Sequence, residues 1–233
     1  SGGAYARDAF TPRKGRHPAP SAEDHLEHEP AAPGELRLCA AYWWVWSLRG
    51  PLKEGRRRLE QALAGDHRPT IARAGALVGA FAIAGDEGDL AASRAWGEEA
   101  LALHRELGND WDVAYVQMGL GLLLNLEDRY AEAVPILEQS VRGFRELGDE
   151  HWEMQTSRRL AWAYEALGDE KRAREIQEDN LRRARANGDA FVEARSLAVL
   201  AQYELDAGHV EAAIPVTSGG LLTFARRGTT LRV

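Results

Sequence analysis

The decapeptide FRELGDEHWE, residues 144–153, sets a helix-forming run against a glycine, two acids, a histidine and a tryptophan. Such a stretch is either the lip of an active site or the turn between two helices. A glycine just past the last turn of a helix adopts the left-handed conformation without a Cβ penalty, and its neighbour's N–H satisfies orphan carbonyls. The acid after it is placed to cap the next helix, as Asp149 and Asp189 would. The turn reading gains weight because the frame recurs: LHRELGNDWD stands at 103–112, and GDAFVE, at 188–193, repeats its ending.

Working outward, Gly108, Gly148, Gly188 and Gly228 are spaced by forty residues. A second series at the same spacing runs through Gly88, Asp128, Gly168 and Gly208, with Gly50 thirty-eight residues ahead of Gly88. Two interleaved series of helix stops define a two-helix unit with one turn inside it and one between units. The pattern predicts pairs of A and B helices near 35–49 and 52–64, 70–84 and 89–107, 111–126 and 130–147, 150–166 and 170–187, and 190–207 and 210–227. Each helix is amphipathic and cannot bury its stripe alone, so the units are expected to stack. Pro135 and Pro215 share one phase of the repeat and predict a kink or a late start in their B helices.

Residues 1–34 carry five of the nine prolines and no periodic apolar face, which predicts a linker or tail ahead of a repeat domain at 35–233. The units are expected near 35–69, 70–110, 111–150, 151–190 and 191–230. GTTLRV, 228–233, falls at the phase of a sixth A helix and predicts that the natural chain continues.

Within each unit a small residue in the A helix is followed twelve positions later by one in the B helix: Gly121 with Ala133, Ala161 with Ala173, Ala201 with Ala213. Small groups at both points let two helix axes approach closely. Unit two sets Phe81 against Ser93, and unit one sets Trp43 against Gly55, where a ring facing a glycine keeps the summed volume. With Leu120, Leu160 and Leu200 just before the small position, residues 36–228 resemble the tetratricopeptide repeat (TPR), with a lengthened B helix. The resemblance implies an all-α, right-handed superhelical solenoid of about five antiparallel helix pairs.

A narrower likeness begins at YWWVWSLRGPLKEGRRRLEQALA, 42–64, and continues through Arg105–Gly108 and Arg145–Asp149. It resembles the C-terminal helical arm of bacterial signal-transducing ATPase regulators of the LuxR-type and antibiotic-regulatory kinds. That implies a sensing or interaction arm of a transcriptional regulator, with a protein, peptide or small polar effector as partner. An autonomous TPR scaffold is the alternative. The phosphate loop GxxxxGK[ST] is missing from this stretch, so nucleotide binding is not assigned to it.

In TPR folds the A helices line the concave face. The resemblance therefore points to Trp44, Tyr115, Met118, Asn125, Arg158, Trp162, Glu165, Arg195 and Gln202 as the partner-binding groove. Met118 and Trp162 suit the inter-repeat core equally well. Arg158 and Arg195, on neighbouring A helices, have the fork geometry to hold a carboxylate or phosphate.

Composition narrows the rest. A net charge of −7 disfavours direct nucleic-acid contact, which depends on neutralising phosphates. No apolar run approaches the ~18 residues needed to span a bilayer, and no secretory h-region opens the chain, so a cytoplasmic protein is expected. Cys39, the lone cysteine, reads as a buried thiol. His25 and His28, spaced i, i+3 among acids in AEDHLEHE, lack the rigid third and fourth ligands a zinc site needs. GDEGD, 85–89, has no calcium-loop spacing and reads as a turn. With no GxSxG, HExxH or Cys–His pattern, neither an enzyme nor a cofactor is expected. Arg56, Arg57 and Arg58 read as a solvated face or a docking patch for an absent core, and an apolar last B helix would favour a homodimer through the C-terminal repeat.

Overall fold

A computed structural model describes residues 34–209 and 211. Nine α-helices occur among the described residues: α1 (Gly34–Arg49), α2 (Leu52–Gly65), α3 (Ile71–Glu87), α4 (Leu90–Glu106), α5 (Asp110–Leu126), α6 (Tyr130–Glu146), α7 (Glu150–Ala166), α8 (Glu170–Asn187) and α9 (Ala190–Asp206). No strand occurs among them. The helices fall within a few residues of the expected A and B positions. The expected last B helix, its Ala213 and Pro215, the His25–His28 cluster and GTTLRV lie outside the described residues, as does the apolar face proposed for a C-terminal homodimer. Pro135 does not delay its helix, since α6 starts five residues earlier at Tyr130.

The turns carry the period. Gly88, Gly108, Gly148, Gly168, Gly188 and Gly208 have φ of 67–81°. At each, the glycine N–H donates three residues back at 2.9–3.3 Å and the next N–H donates five residues back at 2.8–3.0 Å. This is the Schellman geometry, and it closes the last carbonyls of the helix before the chain turns. Asp128 adopts the same geometry at φ 58° with the same two bonds, and its carboxylate accepts from Tyr130 Oη at 2.5 Å. Thr70, Asp89, Asp169 and Asp189 each accept from the N–H three residues on at 3.1 Å, opening α3, α4, α8 and α9. The cap expected of Asp189 is present. Asp149 accepts from the indole Nε1 of Trp111 at 3.0 Å, a tie back to the start of α5.

The described residues divide into two compact units, with the division between Asp149 and Glu150. In the first, Leu36, Leu59, Leu77, Phe81, Ile83, Val116, Met118, Leu137 and Phe144 are fully buried. Phe81 and Ser93 meet as the twelve-residue rule requires: Ser93 Oγ donates to the Phe81 carbonyl at 2.8 Å. A second pairing sixteen residues apart fills the rest of the crossing. A Cβ on Gly97 would lie 3.0 Å from the Phe81 ring, and one on Gly121 would lie 2.5 Å from Leu137 Cγ. The large partner thus sits on the A helix in one repeat and on the B helix in the next. Unit one packs differently from expectation. Gly55 faces Trp46, and a Cβ added to it would lie 2.7 Å from the Trp46 Cβ. Trp43 is seated instead on Gly79 of α3, where an added Cβ would lie 2.5 Å away.

In the second unit Ala161 and Ala173 are fully buried, and Gln177 occupies the slot that Leu137 fills forty residues earlier. Cross-helix bonds repeat with the period as well. Ser140 Oγ donates to the Ala114 carbonyl at 2.7 Å, and Asn180 Nδ2 to the Met154 carbonyl at 3.4 Å.

Candidate interaction surface

α5 is buried without interruption from Ala114 to Asn125. A helix apolar on nearly every side is an interior helix. Three groove candidates of the first unit are corrected accordingly. Met118 and Asn125 are fully buried and Tyr115 is buried too, so none presents a side chain to a ligand. The Tyr115 ring stacks on Trp111 at 5.3 Å, and Trp111 meets Phe144 edge-on at 5.9 Å. This places FRELGDEHWE structurally: Phe144 and Asp149 both hold Trp111. Trp44 is the exception in this unit, 45% exposed on α1.

The arginine run of α2 is largely occupied by its own surroundings. Arg56 donates to Glu60, Glu87 and Asp89 at 2.8–3.0 Å, and lies 5.4 Å from the Trp96 ring. Arg57 and Arg58 both donate to Glu54, whose carboxyl they hold down at about 2. Buried Arg73 donates to the carbonyls of Leu63 and Asp66 and to Glu99, fastening the end of α2 to α3 and α4. Cys39 is buried, which pushes its thiol pKa up. His104 is also buried. Desolvation pulls its pKa down against the Asp112 carboxylate, 3.7 Å away, and the Ala74 backbone.

In the second unit the candidates stay accessible. Arg158, Trp162 and Glu165 stand at i, i+4 and i+7 on α7, which puts them on one face. Arg158 and Trp162 are half-buried and Glu165 is exposed. On α9, Arg195 is half-buried and Gln202 is exposed, its amide donating to Asp206 at 2.8 Å. The two A helices are joined directly by Tyr203, which sequence reasoning missed: its Oη donates to Glu165 Oε2 at 3.1 Å. Burial, followed by the Glu165 charge, raises the Tyr203 pKa well above its usual value and keeps the phenol a donor. Arg174 of α8 lies over the Tyr203 ring at 5.4 Å and donates to Glu204 at 2.5 Å, fixing the face from behind.

Beneath that face α7 is polar where α5 is apolar. Glu153, Thr156, Ser157 and Arg159 are buried. Glu153 accepts from Arg183 of α8 at 2.6 Å, and Arg159 donates to the Gln155 carbonyl at 2.7 Å. One further pair was legible in the period. His151 lies 3.8 Å from Asp189, repeating forty residues on the contact between Trp111 and Asp149. Among the described residues no three His, Cys, Asp or Glu side chains cluster to hold a metal, and no helix is long and apolar enough to cross a membrane.

Residues 112–186 match the tetratricopeptide repeat family model. No curated protein matches the chain. Among solved structures it is similar to the kinesin-light-chain TPR-like repeats of a Podosopora anserina protein, at 17% identity and TM-score 0.71, covering 86% of this chain and 100% of that one. It is similar to BtubC (BKLC) from P. vanneervenii, at 17% identity and TM-score 0.70, covering 100% and 93%. It also matches a Rap protein complexed with competence and sporulation factor, at 12% identity and TM-score 0.68, covering 89% of this chain and 59% of that one. The fold is therefore an all-α, TPR-like repeat solenoid.

Proposed function

We propose that this TPR-like chain is a protein- or effector-binding arm that takes its partner on the A-helix face of the second unit, through Arg158, Trp162, Glu165, Arg195 and Gln202. The observation that carries this reading is the contrast between the two central A helices. α5 buries every side chain from 114 to 125, whereas α7 keeps arginine, tryptophan and glutamate accessible at helical spacing. A cationic and aromatic surface of this kind suits an anionic peptide or small polar ligand. A TPR-like neighbour solved with competence and sporulation factor bound is consistent with such use of the fold.

The finer reading is a sensor domain of a cytoplasmic bacterial transcriptional regulator, built as a right-handed superhelix, acting in signal transduction without catalysis, cofactor or nucleic-acid contact of its own. A ligand preferring one arrangement of the repeats tenfold would bias it by ~1.4 kcal/mol. The likeness of 42–64 to a regulator arm favours this reading. An autonomous scaffold assembling other proteins fits the fold equally.

The test is native mass spectrometry of the purified protein to find a retained ligand, followed by titration of that ligand into Arg158→Ala and Arg195→Ala. Each substitution is expected to weaken binding about tenfold or more, the cost of losing a charge-assisted pair of ~1.5–3 kcal/mol. Unchanged affinity in both, with unchanged melting, refutes the surface. A phosphate loop encoded in frame with this segment would favour the regulator over the scaffold.

A further inference from the structure

The A-helix face of the second unit carries opposite charges at its two ends. Along α7 the order is Arg158, Trp162, Glu165, the first two half-buried and the last exposed. On α9 the forty-residue spacing makes Arg195 equivalent to Gln155 and Gln202 to Trp162. Both arginines therefore come before the tryptophan along the helix direction, and Glu165 comes after it.

The helix between them, α8, engages the competing charges at each end. Where the arginines stand, the acids are taken: Arg183 donates to Glu153 at 2.6 Å, Arg185 to Glu193 at 3.1 Å and Asn187 to Glu150 at 2.6 Å. At about 100° per residue, Glu150 and Glu153 also point some 80° and 140° away from Arg158 around α7. At the other end the bases are taken instead. Arg174 donates to Glu204 at 2.5 Å, and Arg172 lies 3.3 Å from Asp169. Tyr203 donates to Glu165 Oε2 at 3.1 Å, and a neutral donor aims a carboxylate without cancelling its charge. Exposed Glu170 is near enough for its charge to act on the same tyrosine, which adds a second acid to this end.

Helix geometry sets the distance between the poles. Arg158 precedes Glu165 by seven residues, and Gln155, the equivalent of Arg195, precedes it by ten. At ~1.5 Å per residue the poles stand about 10–15 Å apart along the axis. An extended chain covers that span in about three or four residues at ~3.3 Å each.

We propose that the partner on this face is an extended peptide segment carrying an aspartate or glutamate and, three or four residues away, a lysine or arginine. Arg158 and Arg195 hold the acid, Glu165 holds the base, and an apolar or aromatic residue between them lies on Trp162. This narrows the ligand of the face proposed above and rests on that reading. A wholly anionic ligand would fill one pole and set its far end against Glu165 and Glu170, where like charges repel.

Panning a display library of random nonapeptides against the full chain tests this. The selected peptides are expected to share an acid and a base at that spacing. Selection on Glu165→Gln is expected to keep the acid and lose the base, and selection on Arg158→Ala to do the reverse. One selected peptide, synthesised and titrated, is expected to bind Glu165→Lys at least about tenfold more weakly. Exchanging the peptide's base for glutamate is expected to restore affinity for that variant, a rescue that a misfolded chain could not give. Peptides selected for an acid without a base overturn the proposal and leave the face standing. Selection unchanged by Arg158→Ala and by Trp162→Ala overturns the proposal and the face together, as does a library that yields no binder.

Discussion

Gly121 offers a direct measurement of how closely α5 and α6 approach. It is a helix-interior position where alanine should gain ~1 kcal/mol of intrinsic helix propensity. Its added Cβ would lie 2.5 Å from both Leu137 Cγ and Cδ2, with Leu137 itself fully buried and unable to swing away. Overpacking of this kind costs ~1–3 kcal/mol. The net expectation for Gly121→Ala is a loss of about 0–2 kcal/mol. Gly65→Ala is the control, because a Cβ there meets nothing within 4 Å and only the propensity gain remains, reduced by its place at the end of α2. Urea unfolding followed by far-ultraviolet circular dichroism would compare the two as a difference in which the propensity gain largely cancels. Combining Gly121→Ala with Leu137→Ala should recover part of the loss, since the cavity left by the leucine would accept the new methyl. Gly121→Ala as stabilising as Gly65→Ala would mean that the helices do not nest there, and the sixteen-residue pairing would fall.

Three further outcomes are expected. Asp128→Gly should stabilise the chain by up to ~1 kcal/mol in thermal unfolding, because φ 58° costs any side chain, while Gly168→Ala in the equivalent slot should cost ~1–2 kcal/mol. Ala173→Leu should cost ~1–3 kcal/mol by overpacking a fully buried site, and a neutral result would mean that Ala161 and Ala173 do not meet. His104, whose folded pKa lies below the usual 6.5, adds stability that is whole above pH 6.5 and declines as pH falls toward its folded value, by at most ~1.4 kcal/mol per pH unit. Melting temperatures measured from pH 7.5 to 5 should show that decline in the native chain and a flatter profile in His104→Gln.

The helix order was readable because its signal is chemical and local. A Schellman turn needs a residue that tolerates φ > 0, so Gly108, Gly148 and Gly188 mark helix ends, and Asp128 betrays itself by occupying the slot that Gly88, Gly168 and Gly208 fill in the second series. Face assignment was harder. On α5 the periodicity of Tyr115, Met118 and Asn125 matches the periodicity of core residues, because all sides of that helix are buried; a groove and an interior then leave the same imprint on a sequence. α7 differs by carrying Arg158, Trp162 and Glu165 on a face that also contains no leucine, and there the side chains are half-buried or exposed. The partner of Gly121 was hidden for a geometric reason. Positions twelve and sixteen residues on lie one helical turn apart on the same side of the facing helix, and only coordinates distinguish Ala133 from Leu137 as the group that fills the glycine's space. Ties such as Tyr203 to Glu165, thirty-eight residues apart, had no local signature.

Because the bends at Gly88, Gly108, Asp128, Gly148, Gly168, Gly188 and Gly208 each complete their own backbone carbonyl and amide bonds within six residues, the backbone of these junctions needs no distant partner. A forty-residue block could therefore be copied in or excised at the glycines without leaving a ragged seam. Lineages carrying this architecture can lengthen or shorten it by recombination while the surviving blocks keep their internal order, so that reach toward a partner becomes a heritable quantity separate from the stability of any one block.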